Sequence, residues 1–291
     1  MISDDINQLI EEITCNYPQE DIFEAKKEFQ KISGEIFEDD KSYESRMGCF
    51  LEWYTFDRLG LDSNQTPIQD YLQNTDPSLL PDKWNLAEAV SRSIHGLFLA
   101  QKIKKDHVIA LDIFDNKKYQ VLENHGSILF NVDDIFEGRI ISYKDQFYFT
   151  DHFCYHPKPT AGFIKSRVKD LKEAESKART QENQFLKELA TPQKKLDKVS
   201  SKIEKLKEKL ADATKEKKIV SFKQEISELE IMKEQLESQI SQIENQLTEL
   251  RTVTIKGELR LNRFNFIRKL SYMSLKWERS RQIDIQDIYR D

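Results

Sequence analysis

The sequence predicts an α+β fold: a helical N-terminal region and a small antiparallel β module, then a long antiparallel coiled-coil hairpin and a basic C-terminal helix. Three observations carry this. Residues 1–163 hold 16 Lys/Arg and 29 Asp/Glu, residues 164–250 hold 19 and 17, and residues 251–291 hold 10 and 5, so a total of −6 conceals an acidic head and a basic tail. Residues 164–250 contain no Gly, Trp or Tyr, a long-helix composition. Near Gly96 the apolar spacing changes from about 3.6 to 2, the switch from helix to strand. The expected segments are an acidic helical head (1–95), a small β module (96–163), a hairpin with its turn near 214–218 (164–251), and a basic segment packing on the head (252–291).

In the head, Ser3 can cap a helix bearing Ile6, Leu9, Ile10 and Ile13, which ends before Tyr17-Pro18. A second helix starts near Glu20 and stops near Gly34. The third, about Lys41–Leu59, carries Tyr43, Met47, Phe50, Leu51 and Tyr54. Thr66-Pro67 reads as an N-cap followed by an N1 proline, and Asp82–Ile94 closes the set. Beyond it, strands are expected at Leu97–Ile103, Val108–Ile113, Lys118–Leu122, Ile128–Val132, Arg139–Tyr143 and Gln146–Thr150. Asp115-Asn116 and Lys144-Asp145 stand where tight turns are needed. So many short strands in so few residues imply a barrel or a strongly twisted sheet.

The runs ESRMGCFLEWYTFDRLG (Glu44–Gly60), TPIQDYL (Thr66–Leu72) and VIALDIFDNKKYQVL (Val108–Leu122) resemble uncharacterised bacterial proteins often found with a SEC-C metal motif. The resemblance covers a third of the chain and implies an aromatic, acidic helix followed by a small β module. The cysteine-rich SEC-C tail has no counterpart in this sequence, so no metal function follows from it.

In the middle segment, Leu196, Val199, Ile203, Leu206, Leu210 and Ala213 alternate three and four apart, a coiled-coil seam. Run backwards, it reaches Pro192, Leu189, Phe185, Glu182, Ala178, Glu175, Leu171, Val168 and Ile164. A second seam reads Ile219, Phe222, Ile226, Leu229, Lys233, Leu236, Ile240, Ile243, Leu247 and Leu250. Ala213 to Ile219 is two residues longer than the heptad allows, which turns the stripe by roughly 200° at ~100° per residue. A reversal about Glu216 removes the conflict. It sets Leu210 against Phe222, Leu206 against Ile226, Ile203 against Leu229, Leu196 against Leu236, Leu189 against Ile243, and Phe185 against Leu247. Ser221-x-x-Gln224 reads as a capping box for the return helix, and Pro192 should kink or break the outgoing one. A parallel homodimer is the competing arrangement.

Chemistry-bearing patterns are sparse. His152, Cys154 and His156 share a face of an extended strand and are zinc-binding types, but the outer two lie about 13 Å apart. One ion reaches all three only across a bend, and His95, His107 and His125 stand singly. Glu44, Glu52 and Asp57 read as the solvated face of the third helix. Phosphate-binding glycine loops and nucleophile elbows do not occur. No catalytic residue and no cofactor is therefore expected.

In the tail, Arg260, Arg263, Arg268, Lys269, Lys276, Arg279 and Arg281 lie among Phe264, Ile267, Leu270, Leu275 and Trp277. Packing against the acidic head is the leading expectation. Such a helix also suits nucleic acid, through phosphates and stacking, or an anionic membrane surface. No stretch has the ~18–20 apolar residues of a membrane span, and Cys15, Cys49 and Cys154, odd in number and scattered, suit a reducing compartment. The expected function is that of a non-enzymatic cytosolic adaptor or scaffold that binds a protein partner through hairpin and head. The alternatives are a nucleic-acid-binding protein and a metal-dependent enzyme.

Overall fold

The computed structural model describes residues 2–60, 64–122, 130–280 and 282–290. The fold is mixed α+β, with helices first, then a six-stranded sheet, then two long helical stretches. The chain divides into two units, Met1–Lys169 with Phe264–Asp291, and Asp170–Arg263.

In the first unit, five helices precede the sheet: α1 Ile2–Thr14, α2 Gln19–Ser33, α3 Tyr43–Phe56, α4 Pro67–Asn74 and α5 Pro81–Ser91. Ser3 lies inside α1 and is buried rather than capping it. Gly34 ends α2 at φ 82°, a left-handed conformation in which a side chain would be strained. Thr66 and Gln69 form a capping box over α4, whose N1 residue is Pro67. Ile6, Leu9, Ile13, Phe56, Ile68, Leu86 and Val90 pack together as the core of this layer.

The strands are β1 Ile94–Ile103, β2 His107–Asp112, β3 Lys118–Leu122, β4 Ile135–Tyr143, β5 Gln146–Phe149 and β6 Cys154–His156. β1 pairs with both β2 and β4, so the order β1-β2-β3-β5-β4 closes on itself, and β6 adds to β4. A bulge between Ala100 and Lys102 lets β1 bend from one partner to the other. Not every pair is antiparallel, since β3 and β5 run parallel. β4 pairs antiparallel with β1, and β5 antiparallel with β4, so β5 runs in the same direction as β3. Lys144 and Asp145 both have positive φ, the geometry of a two-residue hairpin loop, and Asn116 is also left-handed.

The strand expected at Ile128–Val132 is not formed where described. Residues 123–129 lie outside the described residues, and 130–132 are irregular. Phe130 instead packs into the barrel, its ring 4.5 Å from that of Phe136, with Phe98, Tyr119 and Phe149 nearby. Aromatic filling, rather than strand pairing, explains its apolar character.

Helix α6 runs Ala161–Ala211 and α7 runs Glu216–Glu249, followed by a π-helical stretch Leu250–Leu259, then α8 Arg260–Arg279 and α9 Ile285–Ile288. Two expectations change here. Pro192 does not break α6; it is buried in the helix interior, where packing offsets the single lost backbone hydrogen bond. Ser221 caps nothing, because α7 begins at Glu216, a strong helix former that carries the helix back to the turn. Residues 252–257, rich in β-branched residues and containing Gly257, wind as part of the π-helix.

In the second unit, Val199, Ile203, Leu206 and Ile226 form a buried cluster flanked by Leu210, Phe222, Leu229 and Leu236. Ile240, Ile243, Leu247 and Leu250 are also buried, while Phe185 and Leu189 are half-buried. Ion pairs Lys202–Glu225, Lys207–Glu230, Arg251–Glu182 and Arg263–Glu175 run across the two antiparallel stretches. Cysteines replacing Leu189 and Ile243 should therefore crosslink within one chain at high dilution. Non-reducing gels showing only interchain dimers would contradict this pairing.

Candidate functional site

The most unusual chemistry lies inside the first unit. Helix α3 is apolar on nearly every side (Phe50, Leu51, Trp53, Tyr54, Phe56), so its polar residues cannot all reach water. Glu52 is 3% exposed. From β4 come Glu137 and Arg139, at 5% and 2%, and from α8 comes Arg268, at 4%. Together with Cys49, His95 and His152 they line a cavity of about 10 Å³, room for about one water molecule. Phe29, Trp53 and Phe264 supply its aromatic walls.

Arg139 is the electrostatic centre. Its guanidinium bonds Glu52 at 3.3 Å, Asp57 through Nη2, and Ser93 Oγ at 2.9 Å. Burial works against its charge, yet Asp57 and Glu52 hold its pKa above the ordinary value. Burial also pushes the Glu52 carboxyl upward, with Arg139 and His152 pulling part of the way back. Burial disfavours the Glu137 anion too, but the 2.9 Å bond from His95 Nε2, with the attraction of His95 and Arg46, outweighs it, leaving that carboxyl below its usual range. Two carboxyls facing one cavity are thus driven in opposite directions, a pattern that separates an acid from a base.

Arg268 sits among the rings of Phe264, Trp53 and Phe29, at 4.1, 4.2 and 4.5 Å from their centroids. Burial lowers its pKa to about 10. Its Nε and Nη2, Glu52 Oε1 and Glu137 Oε2 make no hydrogen bond to protein groups. At its present size the cavity admits no substrate. What the cluster does is tie α3, β1, β4 and α8 into one polar core.

Gly48 makes room for one member of it. A Cβ there would stand 2.1–2.3 Å from atoms of the His152 ring. Alanine normally gains about 1 kcal/mol over glycine in a helix, but the ring leaves no space near its root. Gly48→Ala should therefore destabilise by about 1–3 kcal/mol, and His152→Ala in the same chain should restore most of the loss, read from urea midpoints.

The residues singled out from sequence are dispersed. Cys154 and His156 share the buried face of β6, whereas His152 precedes the strand and faces Gly48 and Glu52. Burial raises the thiol pKa of Cys154 and of Cys49. Among the described residues, no group of three or more His, Cys, Asp and Glu is arranged to hold a metal ion.

Much of the tail's charge is engaged. Arg263 pairs with Glu175, and Arg279 with Asp40 and the Glu35 carbonyl. Lys276 lies over Tyr272, and Arg268 is enclosed as described. Arg260 and Lys269 are exposed, and Arg281 lies outside the described residues. Arg46 of α3 holds this helix in turn, donating to Ser271 Oγ and to the Ser271 carbonyl.

Sequence reasoning missed Glu52, Asp57, Glu137, Arg139 and His95 as a group, and it assigned Glu52 and Asp57 to a solvated face. That assignment fails for Glu52, which is buried, and for Asp57, whose carboxylate pairs with Arg139. The available signals were the all-round apolar character of α3 and a Glu-Gly-Arg run inside an otherwise apolar strand.

Among the described residues no helix is long and apolar enough to cross a membrane. No curated protein and no solved structure matches the chain. A family model described as a family of unknown function (DUF7986) matches residues 2–195, two thirds of the sequence. The chain belongs to that family.

Proposed function

We propose that the protein is a non-enzymatic cytosolic adaptor that binds a protein partner through its helical hairpin. The observation that supports this is the self-contained seam of the second unit. Val199, Ile203, Leu206 and Ile226 are buried by the chain's own return helix, so the outward faces of α6 and α7 are left over for something else. At ~1.5 Å per residue the paired stretch is about 40 Å long, and it presents far more surface than its small core requires.

The register supplies the test. Excising 197–235 and joining Leu196 to Leu236 through a short turn keeps the remaining helices paired. Affinity capture should then recover partners with the full chain and lose them with the shortened one. Retention of every partner by the shortened chain would end the adaptor reading.

A nucleic-acid role has less support from the tail, because Arg263, Arg268 and Arg279 are committed to contacts within their own units. Fluorescence polarisation at ~50 mM salt with single-stranded oligonucleotides should show no binding. Tight, steeply salt-dependent binding would favour that role instead.

A further inference from the structure

One side of the hairpin differs from the rest of its surface. Two adjoining grooves of about 470 and 400 Å³ run between α6 and α7 and share Lys195 and Gln239. The nearly buried Val199, Ile243 and Pro192 form their floor, with the half-buried Leu236 beside them. The α7 wall is Gln235, Gln239, Gln242 and Gln246. With Ile231 and Met232, 55% and 49% exposed, these glutamines fall within a stripe of about 100° on the helix, at ~100° per residue, extending about 23 Å. That stripe carries no charge in a chain that is 33% charged.

The α6 wall is basic. Lys195 and Lys198 line it, and neither has a carboxylate partner among the described residues, whereas Lys202 and Lys207 nearer the turn are paired across the hairpin. Glu188, farther along the wall, accepts a hydrogen bond from Gln184. Charged residues are depleted in the cores of protein interfaces because their desolvation is costly. An uncharged shoulder beside exposed apolar side chains and unpaired lysines therefore has the composition of a docking site.

We infer that this groove receives an acidic amphipathic helix from a protein partner. The apolar stripe of that helix would lie on Ile231, Met232 and the half-buried Leu236, and its carboxylates would face Lys195 and Lys198. This rests on the adaptor reading and names the partner's chemistry. The length suits a helix-in-groove contact, read through residues spaced three and four apart.

Two designed helical peptides of about 25 residues, with one apolar stripe and either glutamate or lysine flanks, provide the probe. In polarisation assays on the full chain, the acidic peptide should bind about tenfold or more tighter than the basic one. Lys195→Glu with Lys198→Glu should reverse that order. Gln239→Glu with Gln242→Glu should weaken the acidic peptide, while Lys217→Glu with Lys218→Glu at the turn should leave it unchanged. Circular dichroism establishes that each variant is folded.

Equal affinity for the two peptides would overturn the inference. So would an order that the groove variants leave intact, or sedimentation showing that the chain pairs with itself through the groove. The two readings fail separately. If shortening the hairpin removes captured partners while the groove variants bind peptide like the parent, the adaptor stands and the acidic-helix site falls.

Discussion

Replacing Arg139 by methionine should destabilise the first unit by about 3–5 kcal/mol, the cost of removing one partner from a buried ion pair. The side chain is 2% exposed and holds Glu52 and Asp57 from two directions. Without it, Glu52 stays buried and its Oε2 loses the Arg139 bond while its Oε1 already has none, and Asp57 loses its contact with Arg139. The urea midpoint should fall sharply with little change in slope. Arg139→Lys should recover only part, because a point charge cannot reproduce a fork that serves two carboxylates and the Ser93 hydroxyl. Adding Glu52→Gln to the methionine variant should return a measurable share, since the interaction between touching groups is non-additive. A midpoint for the single variant near that of the parent would show that the network contributes little to stability.

This cluster marks the boundary of what was legible in the sequence. Periodicity exposes a stripe that repeats over many turns, so the α6 and α7 seams could be followed from Ile164 to Leu250. It also exposes punctuation such as Gly34, Thr66-Pro67 and Lys144-Asp145, where one residue type meets one backbone demand. A buried ion network has neither property. Glu52, Glu137 and Arg139 meet through one helix and one strand far apart in the chain, and each alone has the composition of surface. The nearly all-round apolar character of α3 and the Glu137-Gly138-Arg139 run in an apolar strand were the hints that these charges had to be inside.

The parallel pairing of β3 with β5 was hidden for a related reason. Pairing order depends on the path of the connection between β3 and β4, and alternation within a strand carries no information about its neighbour. Pro192 shows the converse. Its local rule predicts a break, yet a seam position in a long paired helix supplies packing that a local rule does not see.

A second large effect concerns acid. His156 is 5% exposed, with Nδ1 3.2 Å from the Tyr289 hydroxyl, and burial together with the Arg46 charge brings its pKa down to about 4 despite the attraction of Glu137. The unfolded chain takes up a proton on this ring near pH 6.5, whereas the folded chain refuses it until near pH 4. Between those values the unfolded state binds more protons, so stability falls as the pH falls, by up to about 1.4 kcal/mol per unit and roughly 3 kcal/mol in all. Glu52 acts in the opposite sense. Its raised pKa means that the folded state holds a proton longer, so its share of stability is lost as pH rises through the raised value. Stability measured by urea between pH 4 and 7 should therefore fall less steeply towards acid in His156→Gln than in the parent, and more steeply in Glu52→Gln. An acid limb unchanged in His156→Gln would mean that the ring titrates freely in the folded protein, and that the contact between β6 and Tyr289 tolerates a charge that its burial argues against.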